Sequence, residues 1–323
     1  MLSESYSPIK KELDAVEVCL QNVSNTPLPM LSDIGSRLIG AGGKRLRPAL
    51  FLLSARLSGK DNYDDLVPLA AALEITHVAS LIHDDVIDNS GLRRGKETAN
   101  ARFGNHVAVL AGDYLFASVF GLIGDKEYPR EVGLKLADLV KLLTVGEIQQ
   151  DSSLYKIPED ADEYYRQIER KTAEFMAVCC ETGAMVEGVG PKMARQMHDF
   201  GYNLGMAFQI TDDLLDITGT DASIGKPAGS DIRQGVITLP VIYALNNSSD
   251  REKLTAIVSN PEMSESELAE AITIVRESGG VDFSRKKVQE FIRQAKASIP
   301  EECDSELRKS FESLADYILR RNF

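Results

Sequence analysis

The sequence predicts an all-α fold. Apolar residues recur at helical rather than alternating spacing along nearly the whole chain, and β-branched runs bounded by turns are scarce. Prolines, glycines and acidic residues also stand where helices begin and end. With 323 residues and 43% hydrophobic content, the chain has ample material for a buried core and is poorly suited to disorder.

Residues 1–21 are polar and charged throughout, without the charged, apolar and small-residue succession of a secretory leader. Pro48 opens a helical run to about residue 57, and Pro68 opens another that reaches Asp88. Within the second, residues 69–82 are apolar almost all round, the mark of a helix enclosed by other helices. Residues 107–124 are apolar enough to raise the question of a membrane span. Asp113 lies inside that stretch, and a carboxylate at mid-bilayer costs about 2.5–3.5 kcal/mol. The expectation is therefore a buried core helix and no transmembrane segment. After Pro158, Glu159 and Asp160 place acids at the positive end of a helix. Gly190-Pro191 precedes a long run to Asp216, with Gly219 beyond its end. From about residue 247 Ser, Glu and Lys rise and the helices become conventionally amphipathic, with no Pro- or Ser-rich linker before them. The expected organisation is one domain over residues 1–323 whose C-terminal part is peripheral.

The 36 Lys and Arg against 49 Asp and Glu leave a net charge of −13. That argues against nucleic acid as a partner, because affinity for a phosphate backbone comes mainly from clustered cations. Any phosphate chemistry must use local basic groups or metal ions. Cys19, Cys179, Cys180 and Cys303 follow neither CxxC nor zinc spacing, so free thiols in a reducing cytoplasm are expected.

Two aspartate triples carry the chemistry. Asp84, Asp85 and Asp88 form a DDxxD pattern, and Asp212, Asp213 and Asp216 repeat it. With 24 Asp in the chain, chance supplies about 0.13 such triples, so two are a strong signal. Residues four apart share a helix face, with Cβ atoms roughly 5–6 Å apart. Asp84 with Asp88, and Asp212 with Asp216, each aim two carboxylates at one point, which is unfavourable without a cation between them. Mg²⁺ is the economical choice, being a hard ion that keeps several waters and takes one or two carboxylates together with substrate phosphates. Scarce histidine and unmotivated cysteines fit zinc or copper poorly. Two solvated helix ends are the plainer alternative, but each triple closes a markedly apolar helix.

Cations follow in small groups suited to phosphate. Gly42, Gly43, Lys44, Arg45 and Arg47 run into Pro48, so freed backbone amides and two or three cations meet at a helix N-terminus. Arg93 and Arg94 follow the first triple and fit bidentate contact with diphosphate oxygens. Lys171 and Thr172 are placed mid-helix, and Lys226 lies in the loop Gly225-Lys226-Pro227. His77 is two turns before Asp84 on the same stripe; a histidine in an apolar helix is usually a core residue, and only this alignment points it at the site.

Taken together, GGKRLRP, HDDVIDNSGLRRG, RKTAEF, FQITDDLLD, GKPAGSD and TLP make the chain resemble the all-trans polyprenyl diphosphate synthases over roughly its first three quarters. The resemblance implies a single bundle of roughly ten or more helices around a deep central apolar cavity, usually in a homodimer. It implies about three Mg²⁺ held between the two motifs, with Asp84, Asp88, Asp212 and Asp216 as ligands and Asp85 and Asp213 in support. By position, Lys44, Arg47, His77 and Arg94 would hold isopentenyl diphosphate. Arg93, Lys171, Gln209 and Lys226 would hold the allylic diphosphate, with Thr172 beside the reacting carbons. Where many relatives carry a lysine before TLP this chain has Val236, which removes one expected diphosphate contact. The implied reaction is ionisation of the allylic diphosphate, attack by isopentenyl diphosphate and loss of a proton to the released diphosphate.

Helical side chains tilt toward the N-terminus, so Ser80 lies below the metal site, with Ala79 beside it and Thr76 deeper. Short-chain relatives carry bulky aromatics at the two positions just before the motif; here both are small, which implies a long product. A hexa-, hepta- or octaprenyl diphosphate for a quinone side chain, possible hand-over to a membrane and a cytoplasmic, membrane-peripheral enzyme are the expectations. A shorter-chain synthase, a terpenoid cyclase and a subunit needing a hetero-partner are the alternatives. The set Lys44, Arg47 and His77 disfavours a cyclase, and six retained aspartates disfavour a non-catalytic subunit.

Overall fold

A helix that is apolar on nearly every side favours burial among other helices, and the helix over residues 67–87 takes that place. The computed structural model describes residues 2–40, 43–60, 63–93, 95–124, 126–219 and 228–320. Its elements are α1 (Leu2–Ser5), α2 (Lys10–Ser24), α3 (Pro29–Gly40), α4 (Leu46–Ala55), α5 (Val67–Ile87), α6 (Ala99–Phe103), α7 (Asn105–Gly124), α8 (Arg130–Ser153), α9 (Ala161–Ile168), α10 (Glu174–Val186) and α11 (Pro191–Thr218). After these come α12 (Ser230–Arg233), α13 (Leu239–Asn247), α14 (Arg251–Val258), α15 (Glu265–Glu277), α16 (Gly280–Ser298) and α17 (Ser305–Leu319). The fold is all-α, as the spacing of apolar residues predicts.

Helix α5 is the apolar element: Leu69, Ala72, Leu73, Ile75 and Ala79 are wholly buried in it, and α2, α4, α6 and α7 pack around it. A second group forms where α11 packs on α10 and α16. Helix α4, seated between α5 and α10, joins the two groups. Small residues allow the closest approaches. A Cβ on Gly183 of α10 would stand 2.1 Å from the Phe51 carbonyl oxygen of α4, and one on Gly201 of α11 would stand 2.4 Å from the Met176 oxygen of α10. The C-terminal helices close the bundle: Phe311 of α17 meets Phe200 of α11 edge-on at 5.0 Å.

Helix ends fall close to the punctuation in the sequence. Asp160 caps α9 by accepting from the Asp162 amide, and Pro191 and Gly219 bracket α11. Helix α4 begins at Leu46, two residues before Pro48. A short antiparallel pair, Leu92–Arg93 with Lys96–Glu97, interrupts the helices after the first aspartate triple; strands of two residues have no periodicity for the sequence to reveal. The cysteines are free.

One expectation is corrected. Helix α7 is not a buried core helix. Within one chain only about a quarter of its apolar window is covered, 28%, while Leu110 is 53% and Phe120 66% exposed. Its inner stripe is made of small residues, Ala108, Ala111 and Gly112, with Leu115 and Val119, so it lies close on α5 and turns its bulky side chains outward. Among the described residues, α7 and the segment Asp64–Ile87 are long and apolar enough to cross a membrane; the latter is mostly buried in the bundle.

Overpacking a helix contact costs about 1–3 kcal/mol. Gly183→Ala is therefore expected to lower the thermal midpoint by several degrees. Gly133→Ala in α8, which meets nothing within 4 Å, should leave it unchanged or raise it, since helical glycine costs about 0.5–1 kcal/mol against alanine. Circular-dichroism melts of both variants check the packing.

Candidate active site

The first triple sits where α5 runs out of apolar sequence. Asp88 is the C-cap, its amide donating to the Asp84 carbonyl, so Asp84 and Asp88 are one turn apart on one side. Asp85 points the other way and is buried, accepting a hydrogen bond from Arg93 Nε at 2.7 Å. The strand pair is tied beneath this corner: Asn100 Nδ2 donates to the Asp85 and Ser90 carbonyls, and the Thr98 hydroxyl donates to Ser90 O. Burial pushes the Asp84 carboxyl up to about 6, with Lys171 and Arg93 opposing the rise and Glu147 and Asp88 adding to it. Asp88 is raised by burial too, against the pull of Lys171. Half-buried Asp84 has less positive charge around it than its burial demands, while Asp88 stands at the exposed end of the helix.

Lys171 and Thr172 do not continue an α-helix. They lie in a π-helical turn, Glu169–Ala173, between α9 and α10, the kind of one-turn irregularity often found at functional sites. Glycines seat it on both sides. A Cβ on Gly205 of α11 would stand 2.5 Å from Ala173 Cα, and one on Gly146 of α8 would stand 3.1 Å from Arg170 Cβ. Lys171 Nζ pairs with Glu147 Oε2 at 3.0 Å and donates to Gln150 Oε1 at 3.2 Å. Burial favours its neutral form, but Glu147, Asp84 and Asp88 outweigh that and hold the ammonium above its ordinary value.

The next residue faces the second triple. Thr172 Oγ1 donates to Gln209 Oε1 at 2.7 Å, Gln209 Nε2 donates to Asp213 Oδ1 at 2.9 Å, and the Tyr164 hydroxyl donates to Asp213 Oδ2 at 2.7 Å. Burial raises the Asp213 carboxyl, Asp231 adds to the rise, and the Tyr164 and Gln209 hydrogen bonds oppose it. Asp216 is buried and accepts from the Asp231 amide at 3.0 Å, while half-buried Asp212 lies one turn earlier in α11. Two adjacent residues thus reach the surroundings of both triples.

Two of the expected diphosphate ligands share one aromatic ring. The Arg47 guanidinium lies over Phe175 at 4.7 Å, and His77 meets the same ring edge-on at 6.2 Å. Lys44 stands apart, with its ammonium over Tyr317 at 4.8 Å. Arg45 is not available as an anion ligand. In a left-handed conformation, it donates to Glu17 and Glu74 and to the Ile39 carbonyl, fixing the approach to α4. Arg94 and Lys226, with Gly42, lie outside the described residues. Thr76 and Ala79 are buried and Ser80 is half-buried, the last donating to the His77 carbonyl.

Sequence reasoning missed Glu147, Gln150 and Tyr164. The Glu147-x-x-Gln150 spacing shares a helix face, but nothing in an amphipathic helix announces which face meets Lys171. Among the described residues no group of three His, Cys, Asp or Glu side chains is placed to hold a metal ion by itself. Paired carboxylates, raised by burial, are instead the donor set of a hard ion that completes its shell with water and substrate oxygens, so the residues present fit Mg²⁺.

Comparison with known proteins agrees with this chemistry. The sequence model of the polyprenyl synthetase family matches residues 28–275. Heptaprenyl diphosphate synthase component 2 of Bacillus subtilis (strain 168) is 35% identical over 99% of this chain and 90% of its own length. Chloroplastic solanesyl-diphosphate synthase 2 of Oryza sativa subsp. japonica is 38% identical over 94% of this chain and 75% of its own. The crystal structure of a polyprenyl synthase from Caulobacter crescentus CB15, complexed with calcium and isoprenyl diphosphate, has a TM-score of 0.93 at 33% identity, covering 99% of this chain and 98% of that one. Matched by the family model over residues 28–275 and by relatives and fold along nearly its whole length, the chain belongs to the polyprenyl synthetase family.

Proposed function

We propose that this prenyltransferase is a long-chain all-trans polyprenyl diphosphate synthase that adds isopentenyl diphosphate repeatedly to an allylic diphosphate, farnesyl or geranylgeranyl in size. The observation that carries the reading is the π turn, in which Lys171 pairs beside the first aspartate triple while Thr172 connects through Gln209 to the second. A diphosphate lying between the triples would meet both.

Asp84, Asp88, Asp212 and Asp216 are the residues that would hold Mg²⁺, about three ions. Bound Mg²⁺ supplies neutralisation of the charge that develops on a departing diphosphate. Lys171, Arg93 and Lys226 would orient the allylic diphosphate, and Gln209 would hold Thr172 beside the reacting carbons. Arg47, His77, Lys44 and Arg94 would hold isopentenyl diphosphate. Apolar side chains of α5 and α11 would keep water from the allylic cation, and the growing chain would run down along α5. Small Ala79 and Ser80 would leave room for it, in keeping with the long products in the names of the heptaprenyl and solanesyl relatives.

The reading takes residues 1–323 as one synthase domain with residues from about 247 at its periphery, working in the cytoplasm and passing its product to a membrane. The apolar faces of α7 and α8, with Leu110, Phe120 and Ile148 exposed, suit a second copy of the chain. The word "component" in the Bacillus relative's name favours a second reading, in which a different subunit covers such a face. The purified chain with farnesyl diphosphate, isopentenyl diphosphate and Mg²⁺ decides: elongation supports the synthase alone, and silence rescued by a second protein supports the hetero-partner.

Asp84→Asn should raise the metal-free thermal midpoint by a few degrees, because it removes a poorly compensated charge, while abolishing turnover and most of the Mg²⁺-induced stabilisation. A Mg²⁺ shift equal to wild type in paired melts would remove Asp84 from the metal site. Ser80→Phe should shorten the product and spare the first condensation, read by mass spectrometry of the dephosphorylated product; an unchanged length contradicts the cavity. Phe120→Glu should turn a dimer into monomers in size-exclusion chromatography with light scattering, and an unaltered mass rules this face out.

A further inference from the structure

Glu147 is out of place in a site built for an anion. A carboxylate near Asp84 and Asp88 adds repulsion to a pair already short of positive charge, and both aspartates are raised in part by it. It also faces the lysine that a diphosphate needs. Its geometry explains the placement. Glu147 Oε2 holds Lys171 Nζ at 3.0 Å, Gln150 one turn on holds the same nitrogen at 3.2 Å, and Gly146 lets the π turn settle against α8. Glu147 and Gln150 of one helix therefore hold one ammonium group, and Gly146 of the same helix seats the turn that carries it.

Resting on the metal site argued above, we propose that Glu147 is a positioning residue that keeps Lys171 from collapsing onto Asp84 and Asp88, so that this pair stays open to a divalent cation. Lys171 carries a four-carbon stem with a mobile charge. After Glu147, the carboxylates that attract it are Asp84 and Asp88, and an ammonium seated between them would compete directly with metal. When a diphosphate arrives, the same lysine is already beside it and exchanges one anionic partner for another. Glu147 thus sets both the availability of the carboxylates and the place of the cation, without touching the reacting atoms.

The test is a double-mutant cycle read by Mn²⁺ binding to the substrate-free full chain, measured by electron paramagnetic resonance, with circular dichroism confirming that each variant is folded. Glu147→Gln should weaken Mn²⁺ binding about tenfold, the lower end of what losing such an outer partner costs a metal site. Lys171→Gln alone should change it less than about threefold, since Lys171 is already held away, yet in the Glu147→Gln background it should recover the lost affinity; such coupling is the signature of contacting groups. If Lys171→Gln shifts affinity by the same factor in both backgrounds, Glu147 acts only through its charge at a distance and the proposal falls. It falls equally if the double variant stays as weak as Glu147→Gln, which makes Glu147 a metal ligand or a scaffold. Glu147→Asp, with a stem one carbon shorter, runs the same cycle if the glutamine variant does not fold. Wild-type protein that binds no Mn²⁺ contradicts the metal site itself, a failure separate from an additive cycle.

Discussion

Carboxylates set one turn apart at the end of an apolar helix repel each other, and withdrawal from water makes that repulsion stronger. The rest of the site answers this constraint. Asp84 and Asp88 sit there with Glu147 close by, and the described cations nearest them are Lys171, already paired with Glu147, and Arg93, already paired with Asp85. The imbalance is negative, and it is local rather than a reflection of the acidic chain as a whole. A divalent ion with a bound diphosphate would complete the charge arrangement, which the described side chains leave short of positive charge.

The middle aspartate of each triple shows how the pattern is divided. Asp85 and Asp213 turn from the shared face and are fastened, one by Arg93 and the other by Tyr164 and Gln209. A tethered middle residue fixes the rotation of its helix end, so the flanking carboxylates keep their aim. The π turn does the corresponding work between the triples. Lys171 and Thr172 serve two directions from adjacent positions of this turn, and Gly146 and Gly205 give it room to lie close against α8 and α11.

Much of this was legible from sequence where the physics is local. The all-round apolar character of α5, the Asp160 cap, the Gly190-Pro191 start and the two DDxxD triples each depend on residues a turn or so apart. What escaped depends on partners distant in the chain. Glu147 and Tyr164 acquire their roles only when α8 and α9 meet Lys171 and Asp213. Arg45 looked like one more phosphate ligand until its left-handed backbone sent it to Glu17 and Glu74. Helix α7 has the composition of a core helix, and composition does not distinguish burial within a chain from burial against another surface. The π turn leaves no periodic trace in five residues.

In the proposed reaction the two aspartate triples act as one site on one diphosphate. A crystal structure of the protein with Mg²⁺ and a non-ionisable allylic diphosphate analogue tests it most directly. The account predicts ions at about 2.0–2.1 Å from carboxylate oxygens of both triples, bridged by the same diphosphate, with Lys171 on that group. Ions confined to one triple, or a diphosphate bound away from the π turn, would contradict it.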